Sequence, residues 1–457
     1  MCWGGDVVLK RLASFVLLAA AWPLAAQSTY VIATSPGTDI GALSAEYSFS
    51  VLKSWRNSVI GLNSVSAVVP FSATALAELK AEPGVVDVES NAIVQNPETE
   101  TTSQVAAPNP GALPNLFGPS MPVLYYGNWV LPAYITQPSA QLIRLTDAQY
   151  DFGGGTGIVA IIDTGVDTGH PGLQGSLVPG FDFTRNRPDT VSELYDLNPA
   201  IAAALAQGNS RLANAGPTTP ILSQSTVEIL DQSTVEILDQ STVEILDGEN
   251  LPGAFGHGTM MAGLVHLIAP QAQIMPLKSF RPDGSAQLAD IAAAIFYAAD
   301  NGADVLNMSF GFASSSPLLS TAIAYAANHG VILVSSAGNA GQPIVQYPGG
   351  YSSVVDVGST TLSDQRSTFS NYGNVNAAAP GEGLVTFFPG GLYAAGWGTS
   401  FSTALVSGAA ALFEDVRPNF SIVGFQNALT QGAPLDPSLG LGKARLDLVR
   451  AGNAFIH

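Results

Sequence analysis

Gly157-Ile-Val-Ala-Ile-Ile-Asp-Thr-Gly165 is a short apolar run that ends in an acid and a glycine turn. A run of this length, bounded by glycines, suits a strand covered on both faces better than a buried helix. Ala303-Asp-Val-Leu-Asn-Met308 and Gly330-Val-Ile-Leu-Val334 have the same form, and Val354 to Val357 is a weaker fourth. Ile291, Ala294, Ile295 and Ala298, between two of these runs, recur at the spacing of one buried helix face. Strands alternating with helices predict an α/β domain with a mostly parallel central sheet flanked by helices. Sites in such sheets form at the carboxyl ends of the strands. Asp163 and Ser309 each fall at one such end, and Asn339 follows a third by a few residues.

Three stretches then carry complementary chemistry in one chain order: Asp163-Thr164-Gly165, His257-Gly258-Thr259 and Gly398-Thr399-Ser400. A hydroxyl is a weak nucleophile near neutral pH, so it needs an imidazole to take its proton. The imidazole in turn needs a carboxylate to fix its tautomer. Asn339, in Ala337-Gly338-Asn339, offers an amide donor for a developing oxyanion. Each residue also has an ordinary reading. Asp163 could close a plain turn or form half of an aspartic-protease dyad, which requires two such loops, and no second one is expected. His257 could merely start the helix Met260 to Ala269, and Ser400 could cap the helix that runs to Phe413. Ser402 competes with Ser400 on spacing alone. Together, in this order and at strand ends, the residues point to a serine hydrolase acting on peptide bonds.

Composition narrows the setting. The 457 residues are 47% hydrophobic and only 11% charged, so most of the chain is expected to fold. A net charge of −19 argues against nucleic acid and anionic membranes as partners. Residues 1–26 read as a signal peptide: Lys10 and Arg11, an apolar stretch Leu12 to Ala20, and a small-residue exit at Ala25-Ala26. Secretion, extracellular or periplasmic and without a stable membrane anchor, is the expected destination. The single cysteine, Cys2, lies in that segment, so a mature chain has no disulfide.

Residues 27–96 read as a small first unit. It has a strand Val65 to Val69, a helix from Ser72 to Lys80 and a strand Gly84 to Glu89. The Pro-, Asn-, Thr- and Ser-rich part of 97–134 reads as a linker where processing is sterically easy. Residues 135–457 form the main domain. An insertion at about 186–250 holds three copies of Gln-Ser-Thr-Val-Glu-Ile-Leu-Asp over 224–247. A period of eight keeps side-chain facing along a strand but drifts about 80° per copy on a helix. The repeats are therefore expected to be extended or a short hairpin, on a surface loop or a gate.

The stretches Val159-Ala-Ile-Ile-Asp-Thr-Gly-Val-Asp167, His257-Gly-Thr259, Val334-Ser-Ser-Ala-Gly-Asn339 and Gly398-Thr-Ser400 closely resemble the signature blocks of the subtilisin-like serine proteases. Phe369-Ser-Asn-Tyr-Gly373 and Ala379-Pro-Gly381 do so too. The resemblance implies Asp163, His257 and Ser400 as a triad, Ser400 over Ser402 as nucleophile, and Asn339 as oxyanion donor. It implies polypeptide substrates, paired along Ser309-Phe310-Gly311 and seated against Ala337-Gly338. It also implies a monomer needing no cofactor for the chemistry. Residues 27–96 resemble that family's small α+β, ferredoxin-like prodomain, which implies a zymogen inhibited by its own first unit. Three departures stand out. Phe401, Ser402 and Ala404 replace the usual Met, Ala and Pro, and Phe401 is placed where it could crowd the site. Gly172 stands where an acid is usual, and the His257 helix runs directly into Ala269-Pro270. These last two leave a structural calcium unassigned. The alternative is a catalytically impaired relative that serves as a binding or scaffold protein.

Overall fold

Four strands, Ser28–Thr34, Phe49–Arg56, Gly61–Ala67 and Val85–Ser90, and two helices, Ile40–Tyr47 and Ala73–Ala81, come first among the described residues, in the order βαββαβ. The computed structural model describes residues 28–95, 122–213, 227–228, 235–237 and 251–456. The expected signal segment, residues 97–121 of the linker and most of the repeat lie outside the described residues. The four strands form one antiparallel sheet with the second, third, first and fourth strands side by side, the ferredoxin-like arrangement. Ser72 caps its helix as expected, accepting from the Ala75 N–H at 3.1 Å. Asp39 caps the other helix, which the sequence reading had missed, through the Gly41 and Ala42 N–H groups. The sheet is apolar on both faces. Tyr30 and Ile32 pack under its own helices, while Val31 and Ala33 join the core of the main domain. That second face lies on the helix Leu288–Asp300, where Trp55 stacks on Phe296 and Lys53 pairs with buried Asp290.

Nine strands build the main sheet, and every pairing but the outermost is parallel. The quoted run forms an interior strand, Ile158–Asp163, third from one edge and between Gln273–Lys278 and Val305–Met308. Ile332–Ser336, Val355–Thr360 and Ala377–Pro380 follow on the Val305 side. The chain leaves this strand for one neighbour and returns to the other, which opens a crevice at their carboxyl ends. The period of two sorts the core. Val159 and Ile161 pack on one face with the helices His257–Ile268 and Thr399–Val416. Ala160 and Ile162 pack on the other with Leu288–Asp300 and Pro317–Asn328. Ile291, Ala294, Ile295 and Ala298 are each fully buried, as their spacing predicts.

The repeat is extended where it is described. Val227–Glu228 of the first copy pairs antiparallel with Val235–Ile237 of the second. The second copy in turn pairs with Leu392–Gly396, a strand that leads toward Ser400.

One buried acid makes a test of this core. Asp356, in Val355–Thr360, is 3% exposed and its Oδ1 meets no hydrogen-bond partner. Burial pushes its carboxyl up to about 8. The folded chain therefore holds it protonated at neutral pH, whereas the unfolded chain ionises it near pH ~4. Stability is full below that value and declines as pH rises toward the folded pKa. Asp356→Asn is expected to raise Tm at about pH 7.5 and to leave it unchanged at about pH 3.5. Equal Tm values for the variant and the parent at the higher pH would contradict this placement.

Candidate active site

Asp163 ends the strand Ile158–Asp163, and its backbone carbonyl accepts from the Ser279 and Phe280 N–H groups at 3.0 and 3.1 Å. These bonds hold the strand end against its neighbour while the side chain, 1% exposed, turns toward the helix that follows the insertion. His257 is the first residue of that helix, entered through Gly256 at φ 89. Its Nδ1 lies 2.8 and 2.9 Å from the two Asp163 oxygens. An ionised carboxylate only accepts, so Nδ1 carries the proton and Nε2 keeps the basic lone pair. Close approach of the two loops makes this contact. A Cβ on Gly258 would sit 1.9 Å from the Gly165 carbonyl oxygen, so only glycine lets the helix start here.

Ser400 is the second residue of the helix Thr399–Val416, where unsatisfied N–H groups favour developing negative charge. The Phe401 ring lies edge-on to the His257 ring at 6.4 Å, which sets His257 beside the start of this helix. Ser400 Oγ is 3.5 Å from the Ser309 carbonyl oxygen, and Ser309 Oγ is 3.4 Å from that of Ser400. Ser402 is occupied elsewhere: its Oγ donates to Ala379 O at 2.9 Å, with Pro380 O at 3.2 Å. Its hydroxyl is spent on a neighbouring strand.

Asn339 is held by its acceptor end. Oδ1 accepts from both Thr399 N and Thr399 Oγ1 at 2.9 Å, and Thr399 Oγ1 accepts from Gly338 N at 3.1 Å. Anchoring the carbonyl fixes the amide plane and turns the donor end Nδ2 the other way. The structure therefore brings Asp163, His257, Asn339 and Ser400 to adjoining ends of one sheet and two helices.

Several expectations change in detail. Phe401 is 1% exposed and packs against Gly396, where a Cβ would lie 2.0 Å from its ring. It underlies the site rather than crowding it. Asp-Thr-Gly does recur at Asp167-Thr168-Gly169, but Asp167 accepts from the Gly169 and Gly390 N–H groups and so anchors loops. Asp163 gives both its oxygens to His257, which does not suit an aspartic dyad. Gly172 faces the Phe387 ring, 2.4 Å from where a Cβ would lie, so a longer side chain has no room. Among the described residues no three His, Cys, Asp or Glu side chains gather to hold a metal ion.

On the expected substrate edge, Phe310 turns into the core beside Phe280, leaving only the backbone of Ser309-Phe310-Gly311 for pairing. Gly311 and Gly338 both face the Gln346 side chain, whose buried Oε1 meets no hydrogen-bond partner. Gln346 thus sits between the two segments expected to seat the substrate. It carries no local sequence signal. Neither does the strand Ser285–Gln287, which pairs antiparallel with Ile93–Gln95 at the end of the first unit.

A sequence profile described as the subtilase family matches residues 154–448. The chain is 33% identical over 275 residues to thermitase of Thermoactinomyces vulgaris, covering 58% of this chain and 77% of that one. It is also 33% identical over 255 residues to a thermophilic serine proteinase of Bacillus sp. strain AK1, covering 56% of this chain and 51% of the relative. The chain therefore spans about half the length of that relative. In fold it matches fervidolysin of Fervidobacterium pennivorans, described as a keratinolytic enzyme related to subtilisin. The TM-score is 0.62 at 19% identity, over 93% of this chain and 61% of the other.

The Asn339 anchor gives a prediction. Thr399→Val removes one of the two donors to Oδ1 and is expected to lower kcat about tenfold with KM nearly constant. A rise in KM at constant kcat would contradict an oxyanion role.

Proposed function

From its membership of the subtilase family, to which this chain belongs because the family profile matches well over half of it, we propose that the protein is a secreted serine endopeptidase made as a zymogen. The observation that carries the reading is the buried Asp163–His257 contact beside the start of the Ser400 helix. His257 Nε2 takes the Ser400 Oγ proton as Oγ bonds to the scissile carbonyl carbon. The Asn339 amide and the Ser400 N–H stabilise the resulting oxyanion. His257 then gives the proton to the departing amine, leaving an acyl-serine ester. Water, deprotonated by the same nitrogen, attacks the ester and frees the acid and Ser400. Asp163 holds the ring and offsets its charge while the proton rests there. No step calls for a metal or an organic cofactor.

Inhibition by the first unit has its own support. Ile93–Gln95 adds a strand to Ser285–Gln287, and Val94 is buried with Ala286 and Phe280 in one core. A peptide lying as an added strand is how an extended substrate pairs with a sheet edge. The first unit thus lies on the domain in the manner of an added extended peptide, and cutting the linker beyond it would free the domain. Export is supported by the basic and apolar pattern of residues 1–26. Among the described residues no helix is long and apolar enough to cross a membrane.

A fluorophosphonate is expected to label the processed chain and the Ser402→Ala variant equally, and Ser400→Ala not at all. Absence of label on the processed parent would favour the scaffold reading, and inhibition by pepstatin would favour an acid protease. Val94→Asp in the full-length chain is expected to shorten the lag before peptide hydrolysis appears. An unchanged lag would remove the inhibitory role from this strand.

A further inference from the structure

Behind Asp163 lies a second carboxylate that the reaction above does not use. Glu193 starts the short 3-10 turn Glu193–Asp196, near the beginning of the insertion, and is fully buried. Its Oε1 accepts from the Thr164 hydroxyl and, at 3.2 Å, from the Gly258 N–H. Its Oε2 accepts from the Thr259 hydroxyl. Thr164 follows Asp163 and Gly258 follows His257, so one side chain is bonded to the neighbours of both. The same turn is fastened below. Asp196 pairs at 2.7 Å with fully buried Lys278, whose ammonium also donates to the Thr164 and Phe280 carbonyls.

The Thr164 hydroxyl is the pivot. It has one proton and two carboxylates within reach: Glu193, at shorter range, and Asp163 Oδ1 at 3.2 Å. Given to Glu193, that proton leaves Asp163 to serve His257, with the Thr164 N–H at 2.7 Å on Oδ1 as a further donor. Given to Asp163, it would draw charge from the oxygen that steadies the imidazolium. Resting on the serine-protease reading above, we propose that Glu193 is a positioning residue for the triad. It ties the Asp163 loop to the His257 helix and keeps the Thr164 hydroxyl off the Asp163 carboxylate.

The charged groups around Glu193 set how this depends on pH. Lys278 faces it from the end of Gln273–Lys278, Asp163 from the end of Ile158–Asp163 and Asp196 from its own turn, while His257 starts the helix beyond. Burial pushes the Glu193 carboxyl up to about 7, against hydrogen bonds from Thr164 and Thr259 and the Lys278 charge, which lower it, and with Asp163, which raises it. The clamp therefore holds its charge above neutrality and loses it below. The negative charge favours the protonated form of His257, so removing it lowers the His257 pKa.

Glu193→Gln tests this in the full-length chain after its own processing, because the amide keeps the shape and one acceptor. The expected result is a kcat lowered about tenfold at constant KM, with the acid limb of kcat/KM moved to lower pH by about half a unit. Glu193→Asp, which keeps the charge but shortens the reach, is expected to lower kcat while leaving the limb in place. It also carries the test if the glutamine variant does not accumulate. Unchanged kcat and pH profile would overturn the proposal. So would a lowered Tm with the profile unmoved, because that is what a purely structural clamp gives. A processed parent that fails to take the fluorophosphonate would instead overturn the protease reading itself.

Discussion

Taking a carboxylate out of water costs several kcal/mol unless its lone pairs are met, and Asp163 is 1% exposed. Its charge is met from two directions, by His257 Nδ1 and by the Thr164 N–H. This one requirement organises much of the molecule. The strand Ile158–Asp163 must end at Asp163, a later helix must begin at His257, and Gly258 must lack a side chain so that the two can touch. The serine helix then comes in over the same face of the sheet, packed on the His257 helix through their shared core. The geometry of the candidate site follows from satisfying a buried charge at a strand end.

The main domain was legible because its strands are short apolar runs buried on both faces. Such runs announce themselves without partners, as Ile158–Asp163 and Ile332–Ser336 do. Phe49–Arg56 did not, because half of it is polar and half of it exposed, and only pairing with Gly61–Ala67 makes it a strand. Asp163, His257, Asn339 and Ser400 carried local punctuation, glycines and strand ends, that marked them. Glu193 and Gln346 carried none. Both matter through contacts made across long sequence separations, and a single sequence does not encode which loop returns to which strand. Ser402 and Phe401 make the converse point: their place beside Ser400 suggested roles in the cleft, whereas a helix turns successive residues to different faces. Ser402 faces a strand and Phe401 the core.

The insertion has two unlike parts. Its start, through Glu193 and Asp196, is bolted to the back of the site by buried hydrogen bonds and an ion pair with Lys278. Its repeat adds strands to the edge of Leu392–Gly396. Identical copies satisfy the same backbone pairing, so backbone bonds alone do not distinguish one copy from another at that edge. Among the described residues of the insertion, the groups bonded beside the site, Glu193 and Asp196, precede the repeat.

All of this turns on His257 donating its Nδ1 proton to Asp163. The most direct measurement is proton NMR of the Ser400→Ala chain with nitrogen-labelled histidine, with His257→Gln for assignment. The account predicts a strongly downfield ring N–H that belongs to His257 Nδ1 and is lost in Asp163→Ala. A His257 ring protonated only at Nε2 in its neutral form, or a downfield resonance indifferent to Asp163, would contradict it.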